Sequence, residues 1–472
     1  MTSSWSGSEP AQPLTALNNS IMTLQSKKEY LIYRLADGMR DHTKMDPDLF
    51  KKLDVKRGLR NEDGTGVLVG LTNIGNVVGY ERREDGLHPI EGKLFFRGYE
   101  VADIANALRK ERRFGFEETA YLLLSGELPD REQLKSFKEL LYGNMSLDKK
   151  TLLHIIEMEG HNVMNILERS VLEMYTFDGN PDDISPDNLM RQSIELISKL
   201  PCVICYAYNM LRRNEYNRSL HIRDAKPGLS MAENFLYMLK GTGKYTRLEA
   251  LTLDLLLILH SEHGGGNNST FTVRVTSSTG TDTYSSIAAG IGSLKGGKHG
   301  GANLKVCAML DDLKENIKNW EDEEEITAYL EKILNKEAFD NTGLIYGIGH
   351  AVYTLSDPRT VLLNVMAEEL ATEKGRLKEY NFMKLIDKCA VKLLKERFPH
   401  KYYCANVDFY SGFVYDMIGI PRDIYTPLFA MARIVGWCAH RNEELGFTGR
   451  RIIRPAYRCI TDENKYVEID RR

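Results

Sequence analysis

From about residue 99 onward, apolar side chains recur every three or four positions with polar ones between them, the period of an α-helix. DNLMRQSIELISKL, AENFLYMLKG, LEALTLDLLLILH, YSSIAAGIGSL, ANLKVCAMLDDLKENI, EITAYLEKIL, TVLLNVMAEELA and LFAMARIVGWCAH all read this way. FEETAYLLLSGELP (116–129) also carries a stop signal, Gly126 after the last apolar turn and Pro129 beyond it. EDEEE (321–325) reads as a solvated helix start, where carboxylates complement the helix dipole. Between Leu68 and Gly98 the pattern changes. VLVGLTNIGNVVGY and GKLFFRGY are β-branched or aromatic runs broken by glycine, which predicts small strands. Residues 1–25, rich in Ser, Thr, Pro and Gln, predict a polar arm, and no repeat of fixed period is seen. The pattern predicts a mostly α-helical protein with a minor N-terminal sheet.

Length changes the picture by division: 472 residues exceed one ordinary core and predict two domains or three. Apolar residues at 42% and charged ones at 27% fit a folded chain rather than long disorder. A formal charge of −4 gives no general attraction to nucleic acid or acidic membranes, so an anionic ligand must be met by local arginines. The N-terminal MTSSWSGSEPAQPL lacks an apolar h-region, and the apolar run LTLDLLLILH contains Asp254 and is far shorter than a membrane span of roughly 20 residues. The seven cysteines show no disulfide framework. Cys202 and Cys205 make one CxxC, but neither a second pair nor a nearby histidine completes a zinc site, and their apolar neighbours predict a buried helix turn. The expectation is a soluble, cytoplasmic protein.

Chemistry gathers in glycine-rich segments. LHSEHGGGNNSTF holds His260 and His263, KGGKHGGAN holds His299, and YGIGHAVYTLSDPR (346–359) holds His350 with Arg359 nine residues on. Glycines beside a polar side chain let ligand atoms approach the backbone. Metal binding is one alternative, since His260 and His263 are three apart, but the order is not HExxH and no motif supplies a third ligand. A phosphate-binding reading of GSLKGGKHGG lacks the GK[ST] ending.

His299 precedes a helix start at Gly301, whose apolar stripe is Leu304, Cys307, Leu310 and Ile317. The positive helix end disfavours imidazolium, and a neutral imidazole can donate to a carbonyl oxygen that gains negative charge. In ANVDFYSG, Asp408 sits between Val407 and Phe409. It is either a helix N-cap or a carboxylate withdrawn from water, which would be a strengthened base. Arg359, Arg433 and Arg454 offer forks suited to carboxylates, although a lone arginine also serves in surface ion pairs.

Taken in order, HSEHGGGN, KHGGAN, GIGHAV…DPR, NVDFYSG, MAR and IRP resemble the citrate synthase family, and GKLFFRGY and FEETAYLLLSGELP resemble its N-terminal segments. The resemblance spans about residues 65–460. It implies an all-α fold of two domains, a large one from residues 26–301 and 410–472 and a small one from 302–409 on the acyl-CoA side. It also implies condensation of acetyl-CoA with oxaloacetate and water to citrate and CoA, with propionyl-CoA and 2-methylcitrate as the alternative. A non-catalytic relative would be expected to lack His299, His350 or Asp408, and all three are present. By resemblance Asp408 is the base, His299 holds the thioester oxygen, and His350 polarises the oxaloacetate carbonyl. His263, Asn267, Arg359 and Arg433 match oxaloacetate positions, and His260 is left structural. Arg454 matches an arginine given across a two-fold interface, which implies a homodimer. The loop Tyr346, Gly347, Ile348 and Gly349 is assigned to CoA, whose adenine its backbone would meet. Neither metal nor cofactor is expected. Thr354 stands where many members carry a base directed at CoA phosphate.

Overall fold

The computed structural model describes residues 24–471. The polar arm expected over 1–25 lies outside them except for its last two positions, which open the helix Leu24–His42. Eighteen α-helices and a three-stranded sheet occur among the described residues. The chain divides into two compact units at Leu68/Val69. The first contains the helices Leu24–His42 and Asp48–Lys52, with Tyr30, Leu31, Ile32, Tyr33 and Leu35 exposed on the longer one. The sheet and the remaining α-helices belong to the second.

The strands are β1 (Gly75–Arg83), β2 (Gly86–Phe96) and the two-residue β3 (Tyr99–Glu100), antiparallel in the order β1-β2-β3. Gly75 pairs with Phe96 and Arg83 with Gly86, with a register break between Val78 and Tyr80. The apolar run Val67–Thr72, expected to be strand, is not; Leu68 and Leu71 are 86% and 78% exposed. β-Branched composition without a paired neighbour does not make a strand.

Helix boundaries follow local chemistry. Asp130 with Gln133, Ser230 with Glu233 and Thr246 with Glu249 form reciprocal capping boxes. The helix Phe116–Ser125 stops at Gly126 in the left-handed region (φ 92°), as the sequence predicts. Asp322 caps the acidic helix Glu323–Leu334.

The helix Tyr425–Gly446 is the hub. It packs on Phe116–Ser125, Pro186–Tyr216, Arg247–Ser261, Asn268–Ser277 and Thr283–Lys295, and nearly every side chain from Tyr425 to Arg441 is buried. An all-round apolar helix belongs in the middle of a fold. Pro186–Tyr216 is apolar and long enough to cross a bilayer, yet most of it is buried against the helices Val163–Phe177, Met231–Lys240 and Tyr425–Gly446. Cys202 and Cys205 lie inside it, buried and unpaired. A second group joins Ala302–Asn316 and Pro358–Glu373 to Val407–Ile418, and Glu323–Leu334 and Pro358–Glu373 to Leu377–Arg397. The helix Arg247–Ser261 touches both groups, so its C-terminal end and the histidines there lie where they meet.

Candidate active site

The loop that presents His350 is shaped by its glycines. Gly347 and Gly349 adopt φ of 81° and 109°, conformations that glycine takes at little cost. The loop is then pinned to residues 404–406. Gly349 N–H donates to Cys404 O at 2.7 Å, Asn406 N–H to Gly347 O at 2.9 Å, and Asn406 Nδ2–H to Gly349 O at 3.0 Å. These groups, assigned from the sequence to CoA, are therefore already engaged within the chain. Tyr346 turns its hydroxyl to Asp340 at 2.8 Å.

His350 Nδ1 accepts N–H bonds from Val352 and Tyr353, both at 3.0 Å. An atom accepting two such bonds carries no proton, so the neutral ring holds its proton on Nε2 and can donate it. The His263 ring stands edge-on to His350 at 5.1 Å between centroids. Burial first, then Arg359, His350 and Arg433, hold His263 well below the usual imidazole range, and its Nε2 has no partner.

Arg359 follows Pro358 at the start of its helix, where Asp357 is the N-cap. Asp357 takes Arg359 Nε–H at 3.0 Å and Nη2–H at 2.6 Å, which leaves Nη1 outside the pair. Arg433 is fully buried, donates Nε–H to His260 O at 2.6 Å, and sits 4.8 Å above the Phe429 ring. Both its terminal nitrogens lack partners. Burial lowers its pKa to about 10, so it stays charged at neutral pH. A buried guanidinium with four unanswered N–H groups needs an anionic ligand.

Asp408 is not the N-cap of Val407–Ile418; Asn406 is, and its side chain accepts the Asp408 N–H at 3.0 Å. Withdrawal from water raises the Asp408 carboxyl to about 6, with Arg359 opposing and Asp357 adding to the rise. His299 is lowered to about 4, by burial first and Arg433 second, causes that the sequence did not reveal. Its Nε2 lies 3.0 Å from Ser269 Oγ. That hydroxyl accepts from Trp437 Nε1–H at 3.2 Å and donates to Asn267 Oδ1 at 3.0 Å. When the hydroxyl proton turns from Asn267 Oδ1 to His299 Nε2, the ring carries its own on Nδ1 for donation. The helix expected from Gly301 starts one residue on, at Ala302, with Gly301 as its N-cap, but Leu304 is 39% exposed; the buried face is Asn303, Val306, Cys307, Met309, Leu310 and Leu313.

His263, His350 and Arg359 thus converge with Arg433, and the Phe429 ring contacts both His260 (4.5 Å) and His299 (6.3 Å). Asn267 joins through Ser269. Arg454 stands apart, exposed in a C-terminal segment without regular structure. A strengthened carboxylate base, neutral imidazole donors and buried guanidiniums are the parts required for enolisation and carbonyl addition with an anionic substrate.

The family model for the citrate synthase C-terminal domain matches residues 63–456. The chain belongs to the citrate synthase family. It is 32% identical over 425 residues to citrate synthase of Haloferax volcanii, covering 89% of this chain and 99% of that protein. It is also 31% identical over 365 residues to 2-methylcitrate synthase of Shewanella oneidensis, covering 77% and 87%. A solved ternary complex of citrate synthase from Thermoplasma acidophilum with carboxymethyl coenzyme A and oxaloacetate superposes with a TM-score of 0.71 at 27% identity, covering 88% and 99%.

For a citrate synthase, three groups escaped the sequence reading. Tyr353 lies against His350 and His263. Glu262 and His440, both fully buried, pair at 2.9 Å, and Arg274 Nη1–H donates to His440 Nδ1 at 2.7 Å. Burial alone would raise the Glu262 carboxyl, but His440, Arg433 and the Gly264 N–H outweigh it and hold it low. The partners are 178 and 166 residues apart, so no local pattern announces them. Thr354 supplies no cation. Its hydroxyl donates to Gly79 O and, at 3.1 Å, to Ile90 O, fastening the loop beneath the β1–β2 hairpin.

Proposed function

We propose that this cleft condenses the methyl carbon of acetyl-CoA with the ketone of oxaloacetate and releases citrate and CoA after hydrolysis of the thioester. Asp408 removes a methyl proton. A carboxylate at about 6 is a stronger base than a free one and is still ionised at pH 7–8. His299, neutral throughout that range, donates to the thioester oxygen as it becomes enolic. His350 donates Nε2–H to the ketone oxygen as the new carbon–carbon bond forms. Arg433, Arg359 Nη1 and His263 receive the dicarboxylate, with Asn267 beside them. The observation that carries this reading is the fully buried Arg433, with both terminal nitrogens unpartnered beside the raised carboxyl of Asp408.

The proposal includes a homodimer in which Arg454 enters the partner's cleft. Its support is the C-terminal segment, where Ile452, Tyr457, Ile460, Tyr466 and Ile469 are exposed as in a chain that covers a second copy. Closure of a small domain (302–409) on a large one (26–301 and 410–472) would exclude water from the enolate.

The relative from Shewanella oneidensis favours keeping propionyl-CoA as a second acyl donor. One methylene is worth about 1–3 kcal/mol in an apolar pocket, or about 10–200-fold. Thiol release with oxaloacetate, comparing kcat/KM for acetyl-CoA and propionyl-CoA, decides: a ratio above about tenfold for acetyl-CoA supports the first reading, and the reverse ratio the second.

A further inference from the structure

Buried polar atoms around the cleft that have no partner within the chain outline where a ligand would bind. They include His263 Nε2, Arg433 Nη1 and Nη2, and the hydroxyl of Tyr353. Tyr353 is 2% exposed, and no group within the chain answers its hydroxyl. Its ring stacks on His350 at 4.5 Å and 28°, meets His263 edge-on at 5.5 Å, and lies 5.8 Å from the Arg359 guanidinium carbon. Its backbone N–H is one of the two that fix the His350 tautomer. Resting on the reading of this cleft as an oxaloacetate site, we infer that Tyr353 is a further oxaloacetate-binding residue, whose hydroxyl donates to an oxygen of the bound dicarboxylate.

The chemistry is selective. A phenolic O–H and the arginine N–H groups are donors, so a single acceptor-rich anion satisfies them together. The ring has little freedom to turn elsewhere. A Cβ on Gly79 would lie 2.3 Å from Val352 O and 2.7 Å from Tyr353 Cα, so β1 presses directly on this stretch of loop. Burial raises the phenol pKa further, which keeps the proton available for donation. A hydroxyl buried without a partner weakens the empty protein and is repaid on binding.

Tyr353→Phe keeps the ring and removes only that donor. Calorimetric titration of oxaloacetate is expected to show about tenfold weaker binding to the variant. KM for acetyl-CoA and kcat at saturating oxaloacetate should stay within about twofold of wild type. The empty variant should melt at or above the wild-type temperature, and oxaloacetate should raise its melting temperature less. A hydroxyl with a purely structural partner would instead lower the melting temperature of the empty variant and leave oxaloacetate affinity unchanged, and either result overturns the inference. Tyr353→Leu, which also removes the platform under His350, is expected to lower kcat as well. If wild-type protein fails to bind oxaloacetate, the reading of the cleft falls; if wild type binds normally and Tyr353→Phe binds equally well, only the role of Tyr353 falls.

Discussion

Asn406 donates its side-chain N–H to Gly349 O at 3.0 Å and accepts the backbone N–H of Asp408 at the same distance. One amide therefore links the loop that presents His350 to the helix that presents Asp408, and it has different ends for the two tasks. Asn406→Ala should lose the helix cap, at about 0.5–2 kcal/mol, and lower kcat more than tenfold. Asn406→Asp can still cap the helix but cannot donate to Gly349 O. Its stability should recover most of the way while turnover stays low. Equal turnover in Asn406→Asp and wild type would show that the link plays no part in catalysis.

Asp408 makes activity and stability pull in opposite directions with pH. Its pKa is raised to about 6, so the folded chain holds this proton more tightly than the unfolded chain does. That preference favours the fold below about pH 4 and is lost as the pH rises through about 6. Asp408→Asn removes an ionised carboxylate from a site that disfavours it. Thermal melts should find the variant more stable than wild type at pH 8 and equal to it near pH 4. In wild type, kcat/KM should climb through an apparent pKa near 6. A variant less stable than wild type at pH 8 would contradict the assigned environment.

Arg359 gives Nε–H and Nη2–H to Asp357 and, on the proposed reading, keeps Nη1 for the dicarboxylate, a division that lysine cannot reproduce. Arg359→Lys should raise KM for oxaloacetate at least about tenfold, or 1.4 kcal/mol, and leave KM for acetyl-CoA nearly unchanged. A larger change for acetyl-CoA than for oxaloacetate would move Arg359 to the other substrate.

A homodimer with shared sites, as proposed, would allow complementation. Arg454→Ala and Asp408→Ala should each be nearly inactive alone. Refolded together in equal amounts, half the dimers are mixed, and each of these has one intact site, so roughly a quarter of wild-type activity should return. Mixed dimers that co-purify through two different tags without recovered activity would remove Arg454 from the partner's cleft.

What the sequence disclosed followed from local physics. The helix stop at Gly126, the glycine loop before His350 and an aspartate set between Val407 and Phe409 each leave a mark within a few residues. The strands were partly legible: Gly75–Phe96 pairs, whereas equally β-branched Val67–Thr72 does not, because pairing depends on a distant neighbour. Leu304 had the right period but faces outward, since periodicity gives a helix face without saying how wide the covering layer is. The Glu262–His440 pair and the contact of Tyr353 with His263 arise only when segments far apart in the chain meet. The Tyr353 side chain was in plain view in HAVYT, yet an aromatic next to a loop reads as core unless its hydroxyl is seen without a partner.

On the proposed mechanism Asp408 takes a proton from the acyl methyl group once oxaloacetate is in place. The most direct test is thiol release from acetyl-CoA by purified wild type and Asp408→Asn, each with and without oxaloacetate. Release by wild type should depend on oxaloacetate, and the variant should lose about 10²–10⁴-fold, the usual contribution of a general base. A variant within about tenfold of wild type, or wild-type release that is indifferent to oxaloacetate, would contradict that mechanism.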